Sequence, residues 1–100
     1  MRYYITMGIV VKDQESIVNI TNKLEEYYGV RAAFKSKYSS EFIIGALNIK
    51  ITLPYVRGYK FDILFYEKGV EELPDMDWQL KSASPYGKPR LLEDLLERLN

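Results

Sequence analysis

Histidine and cysteine are both absent from this 100-residue chain. Without histidine there is no imidazole base and no side chain that ordinarily changes charge between about pH 5 and pH 8. Without cysteine there is no thiolate nucleophile, no soft metal ligand and no disulfide, which excludes an extracellular cross-linked scaffold. A phosphate-cradling loop is missing as well, because the six glycines are dispersed. Ser39, Ser40, Ser82 and Ser84 have no histidine to activate them. The longest apolar run, residues 42–47, falls far short of the ~20 residues that span a bilayer. Met1-Arg2-Tyr3-Tyr4-Ile5-Thr6 lacks the continuous apolar stretch of a signal peptide. These absences predict a non-enzymatic protein of the cytoplasm, with no cofactor and no membrane contact. Asn19-Ile20-Thr21 is formally a glycosylation sequon, without meaning in a cytoplasmic helix.

What is present suits a folded globule. The chain is 47% hydrophobic, with nine tyrosines among its aromatics, and its length predicts one domain over residues 1–100. Fourteen basic residues balance fourteen acidic ones, which argues against a general nucleic-acid coat. The charge is unevenly spread, however. Residues 30–60 hold six basic side chains against Glu41 alone, and residues 61–80 hold six acidic ones against Lys68 alone.

Hydrophobic periodicity orders the elements. Residues 2–11 alternate, with Tyr3, Ile5, Met7, Ile9 and Val11 on one face, and Gly8 marks a bulge or a close backbone approach. Asp13 is an N-cap and Gly29 a stop for a helix over about 14–28, carrying Ile17, Ile20 and Leu24 on its apolar face. Glu25 and Glu26 oppose the dipole at its end, a sign of some other use. Val30–Tyr38 alternates again, residues 39–41 read as a turn, and residues 42–53 form a long β-rich run with Gly45 as a bend. Pro54–Gly58 reads as a hairpin loop into a strand over 59–66. An acidic loop follows, then a short edge strand at Trp78 and Leu80. Pro89 opens a final leucine-rich helix.

The order β-α-β-β-β-(β)-α predicts an α+β two-layer sandwich: an antiparallel sheet of about four strands, with two helices on one face. A ferredoxin-like plan would place the second helix before the last strand, so the topology departs from it.

Three places invite a functional reading. Arg31, Lys35 and Lys37 fall on one side of the second strand, where Lys50, Lys60 and Tyr4 would join them from neighbouring strands. Such a face suits single-stranded nucleic acid, whereas the ordinary account is a solvated face that discourages edge pairing. Leu91, Leu92, Leu95, Leu96 and Leu99 make a stripe that either covers the chain's own sheet or seams a homodimer. Acidic residues around Met76 and Trp78 would suit a basic protein partner, since Trp and Met are favoured anchors. Asp75 and Asp77, with Glu71 and Glu72, lack the glycine and periodicity of a calcium loop. The expected role is a protein-interaction module that self-associates; the alternative is nucleic-acid binding through the basic face.

The lack of cysteine and histidine, only two glutamines, and abundant tyrosine, isoleucine and charge give the chain the flavour of thermophilic proteins. In that overall composition it resembles the small accessory proteins of filamentous viruses of hot-spring archaea. The resemblance implies an intracellular accessory protein, often of novel fold and often dimeric, and it transfers no functional residue.

Overall fold

Ile9, Val10 and Val11 are all fully buried, so the first strand is covered on both faces. That observation governs the architecture. The computed structural model describes residues 4–99. In chain order the elements are β1 (Ile5–Val10), α1 (Gln14–Tyr28), β2 (Phe34–Lys35), β3 (Ser39–Ile44), β4 (Leu47–Thr52) and β5 (Ile63–Tyr66). A 3-10 turn (Val70–Glu72), α2 (Met76–Ala83), β6 (Arg90–Leu91) and α3 (Leu92–Leu99) complete them. The sheet order is β2-β3-β4-β1-β5-β6. β4, β1, β5 and β6 run parallel, and β2 and β3 extend them as an antiparallel meander.

The domain is α+β as expected, but the sheet is mixed and six-stranded rather than antiparallel and four-stranded. It is also covered on two sides. Odd positions of β1 join Phe42, Ile49, Ile51 and Phe65 in a core beneath α1 and α3. Val10 and Leu64 point the other way, into a second core with Val56, Phe61, Val70, Met76, Leu80 and Ala83. The two helices foreseen on one face are there; a third, α2, lies on the other. Among the described residues no helix is long and apolar enough to cross a membrane.

Helix α1 follows its sequence signals closely. The Asp13 carboxylate accepts the Ser16 amide at 2.9 Å, and Gly29 adopts φ 67° and donates to the Glu25 carbonyl. Glu25 does have another use: its carboxylate accepts the Ala32 amide at 2.8 Å and pairs with Lys35 at 2.9 Å. It therefore ties the strand-like segment after α1 back to the helix end.

The segment 76–83 is a helix, not an edge strand. Met76, Leu80 and Ala83 recur at i, i+4 and i+7 and are all buried. The apparent alternation of Trp78 and Leu80 is incidental to that period. The run over 42–53 is two strands joined by a hairpin turn at Gly45, where φ is 59°. Pro54–Gly58 is not a hairpin loop and residues 59–62 are not strand, because β4 and β5 are parallel and flank β1, and β5 begins at Ile63. The segment crosses the sheet instead, on the α2 side, planting Val56 and Phe61 in the second core.

Candidate interaction surface

The α2 side of the sheet is only half covered. Helix α2 and the 53–62 crossing lie over β1 and β5, while among the described residues no helix lies above the same face of β3 and β4. Strand parity places Glu41 and Ile43 of β3 and Asn48 and Lys50 of β4 on that face. Ile43 is 68% exposed, and Phe34, which pairs with Glu41 in β2, is half exposed beside it.

Gly8 sets the boundary between the covered and uncovered halves. It lies opposite Lys50 on β4 and Leu64 on β5. A Cβ built on it would come within 2.7 Å of the Phe61 ring, so the missing side chain is what lets Phe61 lie on the sheet. Phe61 stacks on Tyr59, with rings 5.9 Å apart and 7° from parallel. The Lys50 ammonium stands 5.1 Å from the Tyr59 ring centre. A glycine in β1 thereby fixes an aromatic–cation ledge at the lip of a shallow groove of about 290 Å³, with Tyr4, Thr6, Ile43 and Asn48 along its walls.

The crossing is held rigidly enough to serve as a wall. Asp62 is bound to Thr6 through paired contacts: its carboxylate accepts the Thr6 amide at 2.8 Å, and its amide donates to the Thr6 carbonyl at 3.0 Å. The Phe61 amide donates to the Ala83 carbonyl at 2.8 Å, and Lys60 donates to the Ser82 carbonyl at 2.9 Å. Further along, the Arg57 guanidinium lies 5.4 Å over the Trp78 ring on α2.

The five basic residues foreseen as one face are dispersed. β2 is only two residues long, so Arg31 stands in the loop before it and Lys37 in the turn after it, over Tyr38. Lys35 pairs with Ser40 and turns toward Glu25 on the α1 side. Lys50 of β4 and Lys60 both line the groove with Tyr4, but Lys60 stands on the crossing and not on a neighbouring strand. Sequence reasoning missed Ile43 and the ledge of Tyr59 and Phe61. The expected strand over 59–66 turns both aromatics to the core; Phe61 is buried there, but on the crossing, and Tyr59 stays exposed on top of it.

The leucine stripe is used within the chain. Leu92 and Leu95 are buried in the α1-side core, Leu96 and Leu99 pack against it, and Leu91 lies half-buried in β6. Trp78 is on α2, not on an edge strand, and is 46% exposed. Among the described residues no three carboxylates gather as a metal site. Compared with protein-family models, curated proteins and solved structures, the chain matches none.

Proposed function

We propose that this protein is a non-enzymatic interaction module that docks an acidic protein surface on the uncovered half of its sheet. The observation that carries the reading is the Gly8–Phe61–Tyr59–Lys50 ledge beside exposed Ile43. Aromatic and aliphatic anchors at the centre with cations around them are the composition of a protein-binding hot spot. The charged side chains lining the groove are Lys50 and Lys60 against Glu41. That imbalance selects an acidic partner and sets its register more than its affinity.

Nucleic-acid binding is less well supported, because Arg31, Lys35 and Lys37 do not join Lys50 and Lys60 on one face. A homodimer seam along the leucine stripe has to compete with the chain's own core for Leu92 and Leu95. A second copy docked on the open face is another form of self-association.

The test compares wild type with Ile43→Asp and Tyr59→Ala, using Val18→Asp on the exposed side of α1 as the control. Partners captured from an extract should be lost with the first two and kept with the control. Retention of the same partners by Ile43→Asp removes this face from consideration. Light scattering of the same variants reports a second copy. Oligonucleotide shifts at low salt report nucleic acid, whose affinity would fall steeply with salt.

A further inference from the structure

A crevice of about 510 Å³ lies away from the open face, between α2 and the turn that leads into β6. That volume is in the range of small-molecule sites, roughly 300–1,000 Å³. Its floor is apolar: buried Leu80, the Tyr66 ring and Pro89. Its walls are held in place. The buried Ser84 hydroxyl donates to the Gly87 carbonyl at 2.7 Å, which pins the turn against the end of α2.

The rim carries both signs of charge. Lys81 and Asp77 neutralise one another at 3.1 Å, one helical turn apart. Glu71 and Lys88 are left, one carboxylate and one ammonium. Glu71 has only long contacts of 3.2 Å with the Gly69 amide. Lys88 and the Tyr66 hydroxyl make no hydrogen bond or ion pair among the described residues. A ligand matched to this crevice is neutral overall, carries one ammonium and one carboxylate, and has a flat apolar body to lie on Leu80, Tyr66 and Pro89.

We infer that this crevice is a binding site for a small zwitterion of that kind, of which an aromatic amino acid is the simplest example. The carboxylate goes to Lys88 and the ammonium to Glu71. The Tyr66 hydroxyl supplies a further hydrogen bond to either group. The site is independent of the open sheet face, and its failure would leave the docking proposal untouched.

The experiment is an amide chemical-shift titration of the full chain with three probes at millimolar concentration. L-phenylalanine carries both charges, phenethylamine lacks the carboxylate, and 3-phenylpropionate lacks the ammonium. L-phenylalanine should shift Tyr66, Leu80 and Lys88, and each of the other two should bind about tenfold more weakly. Lys88→Ala should weaken L-phenylalanine about tenfold and leave phenethylamine unchanged, while Glu71→Gln should leave 3-phenylpropionate unchanged. Both substitutions sit at the rim, and the unperturbed spectrum of each variant confirms its fold. Equal binding of all three probes overturns the inference, as do shifts confined to other regions or no shift at all.

Discussion

The hydroxyls of Thr21 and Ser40 lie 2.6 Å apart, both buried, where α1 crosses β3. Thr21 also donates to the Ile17 carbonyl at 2.6 Å. A hydroxyl has one proton to give, so Ser40 donates to Thr21 and Thr21 donates to Ile17. Thr21→Val removes the acceptor and leaves the Ser40 hydroxyl buried without a partner. The expected cost is about 1–3 kcal/mol. Adding Ser40→Ala removes the stranded group, so the double variant should be more stable than Thr21→Val alone. Denaturant unfolding of the four proteins closes the cycle.

The second prediction concerns Gly8. Alanine there would place a Cβ 2.7 Å from the Phe61 ring and 2.8 Å from Leu64, both packed in the second core. The Phe61 ring has little room to yield, because Tyr59 is stacked on it. Gly8→Ala should cost about 1–3 kcal/mol, as overpacking does. It should also shift the Tyr59 and Lys50 resonances, which no general loss of stability would single out. Adding Phe61→Leu should restore part of the stability and none of the ledge.

How much of this was legible beforehand follows from what each signal reports. Asp13 and Gly29 delimit α1 because caps act locally, through the Ser16 and Gly29 amides. The alternation placed Met7, Ile9 and Val11 on one face and Val10 on the other, Tyr3 lying outside the described residues, and Gly8 did mark a close approach. Strand order was not legible, since pairing β1 with both β4 and β5 depends on contacts about 40–60 residues distant in sequence. One clue was present: Ile9-Val10-Val11 and Ile63-Leu64-Phe65-Tyr66 are continuous apolar runs, as strands buried on both faces require. The i, i+4, i+7 spacing of Met76, Leu80 and Ala83 likewise announced α2. The groove was beyond reach, because Tyr59 and Phe61 stand on a crossing whose path depends on parallel pairing.

Stability should be flat from about pH 6 to pH 9, since no histidine titrates there. At the acid side, the Ala32 amide, and then Lys35, hold the Glu25 carboxyl below its ordinary 4.5. The Ser16 amide does the same for Asp13, below 3.8. A group with a depressed folded pKa stabilises the fold above its ordinary value and gives up that contribution as pH falls through the folded one. Stability should therefore begin to fall near pH 4.5, and Glu25→Gln should flatten the upper part of that slope. At the alkaline side, burial and then the charge of Tyr27 raise Tyr28, and burial and then Glu71 raise Tyr66, both above 10.0. Raised groups stabilise below their ordinary value, so a second loss should set in above pH 10. Thermal unfolding midpoints across the range check both edges.

The last prediction separates the two uses of the leucine stripe. Leu95 is buried with Leu92, Ile20 and Phe65, whereas Leu96 and Leu99 only flank that cluster. If the stripe serves the chain's own fold, truncation should cost stability in proportion to burial. Leu95→Ala should then lose about 2–5 kcal/mol, a large share of the roughly 5–15 kcal/mol that holds a domain together. Leu96→Ala should lose less. Neither change should alter the mass in solution at concentrations where the variant is folded. A dimer seam predicts the reverse pattern: a fall in mass with a midpoint that depends on protein concentration. Light scattering and denaturant unfolding of the same two variants, each at two concentrations, decide between them.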